Sequence, residues 1–326
     1  MMRSTLLLLL LLATFSGAQA QEPILIRFSH MVSVEGPKGI GAEMVRDLVA
    51  ERMGDKVRVE VYPGSELFTD EQVLLALLTG DVQLAAPSLS KFGEITTQLQ
   101  AFDLPFLFDD VEAAQRFQGS ETGRKLLDSM VAKGIKGLAY WDNGMRVVSA
   151  TRELRTPDDL NDLKFRIEAS DVIEEQYQMM DALPLKLPFG QVRDALQSGL
   201  VDGQENSWSN IASQRFYTLG QQFTETEHSY LGYMVVTSVA FWEALPQDIR
   251  AGLEAIIAEV TEEVNRIARD KAKSGRQQVV DAGATVIEFS PHEKNAWVAQ
   301  WKPLWKEFED SIGDDIVFVA AAANQR

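Results

Sequence analysis

Cysteine is absent from the 326 residues. That removes disulfides, thiolate nucleophiles and cysteine-ligated metals from any account of the protein. Histidine is scarce as well: His30, His228 and His292 stand far apart with no His-x-x-x-His spacing, so no zinc ligand set is visible. Positive charge is in deficit, with 31 Lys and Arg against 48 acidic residues and a formal net charge of −17. Nucleic acid and anionic lipid both require a basic footprint, so neither is an expected partner. There is no Gly-x-Ser-x-Gly elbow and no Walker-type phosphate loop, which argues against a serine hydrolase and against an ATPase. Gly39-Ile40-Gly41 begins like a dinucleotide fingerprint, but Met44 stands where the third glycine belongs and a proline precedes it. No cofactor and no metal are expected, and catalytic residues are not evident. Acidic pairs such as Asp109-Asp110 and Glu174-Glu175 read as solvated faces.

What is present begins with a leader. Arg3 supplies a positive start, Leu6 to Leu12 is an unbroken apolar core, and Ala18-Gln19-Ala20 is a small-residue cleavage pattern. The apolar stretch is well short of the roughly 20 residues a spanning helix needs, so a signal peptide over residues 1–20 is favoured over a retained anchor. This implies a mature protein outside the cytoplasm, in the periplasm. Removing a segment with one basic residue and no acid makes the charge more negative still. An anionic ligand would therefore be captured against the overall field, which demands Lys and Arg concentrated in a cleft.

The remaining chain of roughly 300 residues exceeds what one compact core usually holds, so two domains are expected. Strand patterns fall at Ile24 to Phe28, Val57 to Tyr62, Val82 to Ala86, Leu138 to Trp141, Val147 to Ala150, Lys164 to Ile167, Leu183 to Leu187, Leu231 to Phe241 and Thr285 to Phe289. Helical patterns separate most of them, which is the signature of an α/β protein. From Gln247 to about Val280 there is no proline, and Ile249, Leu253, Ile256, Ile257, Val260, Val264 and Ile267 recur at steps of three and four. Such a helix would be roughly 50 Å long at 1.5 Å per residue, longer than a small domain is wide.

Several residues invite a binding role. Arg166 ends an alternating segment in which Leu163, Phe165 and Ile167 face one side while Lys164, Arg166 and Glu168 face the other. A guanidinium at a strand end offers a carboxylate a bidentate fork. On residues alone, a structural salt bridge fits Arg166 equally well. Phe189 precedes a helical pattern and suits packing beneath it. Asn206 lies at a strand-to-helix turn, where a helix N-cap competes with ligand contact. Trp208, two residues on, suits a pocket wall or a helix staple.

The motifs KFRI at Lys164 to Ile167, GQVRDALQSGLVDGQEN at Gly190 to Asn206 and WDNGMR at Trp141 to Arg146 resemble those of the solute-binding proteins of TRAP transporters. FSHMVSVEGPKG from Phe28, VYPGSEL from Val61, LAAPSLSKFG from Leu84 and FDLPFLFDD from Phe102 extend the resemblance over nearly the whole mature chain. The last two look most like the C4-dicarboxylate-binding branch, DctP. The resemblance implies a two-lobed periplasmic binding protein fold, each lobe a mixed or parallel sheet flanked by helices, with a long helix spanning both. Lobe I would comprise residues 22–140 plus 230–269, and lobe II residues 141–229 plus 270–326. It also implies that Arg166 pairs with a ligand carboxylate, that Arg146 is a second ligand-facing arginine, and that Phe189 and Asn206 line the pocket. A second carboxylate would need donors from the first lobe, because a buried unpaired charge costs several kcal/mol. Lys38 and Lys91 are the preferred donors, with His30 and Ser88 beside them. The implied function is capture of a succinate-, malate- or fumarate-type acid and its delivery to small and large membrane permease subunits, with no ATPase. Another small organic acid, such as a keto acid or sugar acid, is the alternative within that class, and a periplasmic hydrolase of an anionic substrate is the alternative outside it.

Overall fold

The computed structural model describes residues 22–69 and 71–325, so the leader expected at residues 1–20 lies outside the described residues. Among the described residues eleven strands form in chain order: β1 (Ile24–Ser29), β2 (Val57–Tyr62), β3 (Leu84–Ala85), β4 (Ile135–Met145), β5 (Val147–Ala150), β6 (Lys164–Ile167), β7 (Leu183–Lys186), β8 (Gly203–Asn206), β9 (Gln222–Thr224), β10 (Tyr230–Ser238) and β11 (Val286–Ile287). They assemble into two mixed sheets, ordered β2-β1-β3-β10-β4 and β11-β9-β5-β8-β6-β7. In the first, β1 runs parallel to β2 and β3, while β10 is antiparallel to β3 and β4. In the second, β6 runs parallel to both β7 and β8. Parallel neighbours need long crossovers, and helices such as Pro37–Met53 between β1 and β2 supply them. Pro37 opens that helix where its missing N–H costs nothing.

The chain passes between the sheets at two places. A single residue, Arg146, separates β4 in the first sheet from β5 in the second, and residues 225–229 lead back from β9 to β10. The helix Gln247–Asp281 joins the halves a third time. Its 35 residues keep one apolar stripe. Leu253, Ile256, Val260 and Val264 pack into a core with Phe28, Trp141 and Val235, whereas Val279, three turns and more beyond, packs with Trp208 and Phe223 of the other half. Trp141 Nε1 donates to Thr261 Oγ1 at 3.0 Å, and Asp142 N donates to Asn265 Oδ1 at 2.8 Å. These bonds fix the helix to β4 next to the crossing point.

Three departures from the sequence reading have physical causes. The run Leu231 to Phe241 stops being a strand at Ser238, whose Oγ accepts from Phe241 N at 3.2 Å and caps a helix, Val239–Ala244. Strand β8, implied only by the strand-to-helix turn at Asn206, was missing from the strand patterns because Gly-Gln-Glu-Asn offers no apolar alternation, yet all four residues are buried. The C-terminal segment, grouped by sequence with the second lobe, is divided: Trp297 and Trp301 pack with Phe165 and Tyr177, but Ile312, Ile316 and Ala320 join Leu99, Phe102 and Phe117 beside the first sheet. Trp305 Nε1 donating to Pro105 O at 2.7 Å and Asn324 Nδ2 donating to Leu107 O at 2.9 Å anchor it there. Among the described residues no helix is long and apolar enough to cross a membrane.

Where the long helix meets the helix Trp208–Ser213, Gly275 permits contact that a side chain would prevent. A Cβ there would lie 2.7 Å from the Trp208 carbonyl oxygen and 3.1 Å from Ala212 Cβ. Gly275→Val is expected to cost about 1–3 kcal/mol by forcing these helices apart. Denaturant titration measures it, and an unchanged midpoint would contradict the close packing described.

Candidate functional site

Open α/β sheets present ligands to the C-terminal ends of their strands, where backbone and loop side chains are not used by the ladder. A small cavity between the two sheets obeys this rule. Met31 and Val32 follow β1, Ser88 follows β3, Glu168 follows β6, Phe189 follows β7, and Asn206 ends β8. Lys38 comes from the first turn of helix Pro37–Met53, Asn210 from helix Trp208–Ser213, and Leu231 and Tyr233 from β10. The enclosed space is on the order of one water molecule. A four-carbon acid therefore enters only when the halves separate or the lining side chains rearrange.

Lys38 is almost wholly buried. Its Nζ donates to Ala86 O at 2.9 Å and to Met31 Sδ at 3.1 Å, and it lies 3.7 Å from the centre of the Tyr233 ring. Backbone carbonyl, sulfur and aromatic face all contact the ammonium. Ser88 Oγ donates to Glu168 Oε2 at 3.0 Å. Asn206 Oδ1 accepts from Asn210 Nδ2 at 2.7 Å, and Asn206 Nδ2 donates to Gln204 Oε1 at 3.2 Å. The N-cap of the following helix is Ser207, whose Oγ accepts from Asn210 N at 3.3 Å, so Asn206 is not the cap. Phe189 meets Phe216 edge to face at 6.3 Å and turns its remaining surface to the cavity.

Other sequence-predicted residues sit elsewhere. Arg166 is fully buried on β6 and its Nε donates to Leu187 O at 3.0 Å, which ties β6 to the turn carrying Phe189. Lys91 Nζ is 3.3 Å from the Glu71 carboxylate. His30 is buried behind the cavity, and burial together with Lys38 lowers its pKa to about 3, so it is a neutral ring. Trp208 does not line the cavity; it packs against Phe223 at 5.7 Å and the long helix at Gly275. Of its two sequence-level roles, the helix staple is the one its contacts match.

Arg146 also lies off the cavity, at the centre of a buried network. Nη1 donates to Glu205 Oε1 at 2.9 Å, and Nη2 donates to Glu168 Oε2 at 2.8 Å and Ser90 Oγ at 2.9 Å, with Asp103 Oδ1 at 3.4 Å. Burial works against the guanidinium charge, but Glu205, Glu168 and Asp103 outweigh it and raise its pKa. Glu168 shows the reciprocal effect. Burial favours its neutral form, while Arg146, Lys91 and Arg166 hold its pKa at about 2. For Asp103 burial wins over Arg146 and Ser90, and its pKa rises to about 6. Arg146, expected to face the ligand, thus has protein carboxylates on Nη1 and Nη2, while its buried Nε has no hydrogen-bond partner among the described residues.

Sequence reasoning missed Glu168, Glu205, Asn210 and Tyr233. The signal for Glu168 was available, because alternation places it on the same side as Arg166. Glu205 accepts from Tyr177 OH at 3.3 Å and meets His228 Nε2 at 2.9 Å, while His228 Nδ1 lies 2.7 Å from Thr226 Oγ1. This Thr-His-Glu chain has the outline of a nucleophile and base, yet all three side chains are fully buried and no substrate could reach them. Among the described residues there is no group of three or more His, Asp or Glu suited to a metal ion. The arrangement can hold an anion between cationic and amide donors.

Replacing Arg146 with Met removes the buried cation shared by Glu205, Glu168 and Asp103, leaving Glu168 only Lys91 and Arg166. Arg146→Met is therefore expected to lose about 3–5 kcal/mol of stability with or without ligand. A loss below about 1 kcal/mol in denaturant titration would contradict the network's role.

A profile described as DctP, bacterial extracellular solute-binding protein, family 7, matches residues 28–311. A C4-dicarboxylate-binding periplasmic protein DctP from Vibrio cholerae is 43% identical over 321 residues, covering 98% of this chain and 97% of the relative. The crystal structure of a TRAP periplasmic solute-binding protein from Shewanella oneidensis with bound succinate is similar at TM-score 0.92 and 45% identity, covering 93% of this chain and 100% of that one. A TRAP periplasmic solute-binding protein from Pseudomonas aeruginosa with bound L-malate is similar at TM-score 0.85 and 48% identity, covering 87% of this chain and 100% of that one. These relatives are binding proteins and not enzymes, which removes the hydrolase alternative. With the family profile spanning most of the chain and the fold shared over nearly its full length, the protein belongs to the DctP family of bacterial extracellular solute-binding proteins, the TRAP solute-binding proteins.

Proposed function

We propose that the protein captures a C4-dicarboxylate of the succinate, malate or fumarate type in the cavity between its two sheets and delivers it to a TRAP permease of small and large membrane subunits. The observation that carries this reading is the gathering of Lys38, Asn206, Asn210 and Phe189 around one space, with Arg166 and Lys91 acting on Glu168 of its lining, in a protein of formal charge −17. Relatives named or crystallised with C4-dicarboxylates support the ligand class. Arg166 holds one carboxylate, Lys38 from the opposite half reads the other, and Lys91 adds positive potential near Glu168. Phe189 covers the carbon chain, where a small acid offers little but apolar contact.

Closure follows from the same geometry. A ligand that touches both halves favours the closed form by the difference in its contacts with the two states. The lobes that move are residues 22–140 plus 230–269 and residues 141–229 plus 270–301, with the helices beyond Leu304 riding on the first. The protein works in the periplasm after loss of residues 1–20.

Arg166→Ala is expected to lower succinate affinity at least about 100-fold, as removal of a charged bidentate partner does. Calorimetry measures the affinity, and circular dichroism verifies that the fold is kept. Near-normal affinity in the folded variant would refute the assignment.

A further inference from the structure

The cavity lining carries a carboxylate of the protein's own. Glu168 lies two residues beyond Arg166 and lines the cavity. Its two hydrogen bonds, from Arg146 Nη2 at 2.8 Å and Ser88 Oγ at 3.0 Å, both fall on Oε2. Among the described residues no hydrogen bond is made to Oε1. The side chain is held from behind by a residue at the sheet crossing and from the facing half by Ser88, so its orientation is set before a ligand arrives. Arg146, Lys91 and Arg166 keep it ionised against burial, and an ionised carboxylate only accepts hydrogen bonds.

That chemistry divides ligands of one size. A carboxylate turned toward Oε1 meets like charge. A methylene there strips water from a charged acceptor and returns no donor. A hydroxyl both fits and donates. We infer that Glu168 is a specificity-determining residue, accepting a hydrogen bond from a hydroxyl on the ligand's carbon chain and so selecting hydroxy-dicarboxylates over the unsubstituted acid. This rests on the reading that the cavity takes a C4-dicarboxylate.

The test is calorimetric titration of the full-length mature protein at pH 7.5 with L-malate, D-malate and succinate, repeated on Glu168→Gln. The unaltered protein is expected to prefer one malate enantiomer over succinate by about tenfold or more, the range of a hydrogen bond to a charged group. In Glu168→Gln the amide oxygen remains the acceptor for Arg146 and Ser88, which turns the amide NH2 toward the cavity as a donor. Succinate should then gain affinity and the preference for malate should fall to about twofold or less. An unaltered protein that binds succinate and malate equally overturns the role of Glu168 while leaving dicarboxylate binding in place, whether or not the variant folds. An unchanged preference in a folded Glu168→Gln protein overturns it too. Failure of all three acids to bind the unaltered protein overturns the dicarboxylate reading and this inference together.

Discussion

A guanidinium buried at the point where the chain crosses between two sheets has to be neutralised by groups from both sides of the crossing, and Arg146 meets that requirement. Its donors reach Glu205 on β8 and Glu168 beyond β6, in the second sheet, and Ser90 and Asp103 in segments packed on the first. The rest of the site is arranged around this pairing. Glu205 is fixed by His228 and Tyr177, which sets the end of β8 and hence Asn206. Glu168 is fixed beside Arg166, which sets the end of β6. Trp141 and Asp142, five and four residues before Arg146, bind the long helix through Thr261 and Asn265. A short stretch of one strand thereby joins both sheets, the bracing helix and the cavity wall.

This arrangement resolves the conflict between a strongly acidic protein and an acidic ligand. The global charge repels anions, but Lys38 lines the cavity, and Arg166 and Lys91 act on Glu168 of its wall. Low-dielectric walls make such local charges count for more than distant surface carboxylates. The protein carboxylates nearby are committed: Glu205 and Asp103 share Arg146, and Glu168 is pinned on one oxygen. What reaches the cavity is a cationic and amide lining with one directed acceptor.

Much of the fold was legible in the sequence because it is built from apolar periodicity. Strands β2, β5 and β6 have the limits that alternation gives, and the long helix begins at Gln247 as its stripe requires. Alternation fails where polarity is put inside. Strand β8 reads Gly-Gln-Glu-Asn, four buried residues whose side chains serve the ion network and the cavity, so no apolar signal marked it. The helices beyond Leu304 pack beside the first sheet, which the sequence could not show because an amphipathic stripe tells that a helix packs but not on which neighbour. At the site, Lys38, Ser88, Phe189 and Asn206 come together at the cavity, while Arg146, His30 and Trp208 serve the structure around it. A sequence shows an arginine near a strand end; it does not show that three carboxylates distant in the chain lie against its Nη1 and Nη2.

The measurement that tests this account most directly is titration of the mature protein with a panel of C4-dicarboxylates, keto acids, sugar acids and amino acids, following binding heat and recovering the ligand afterwards. The account predicts saturable binding of one dicarboxylate per chain, none of the amino acids, and ligand returned chemically unchanged. Silence toward every acid in the panel, or conversion of any of them, would contradict it.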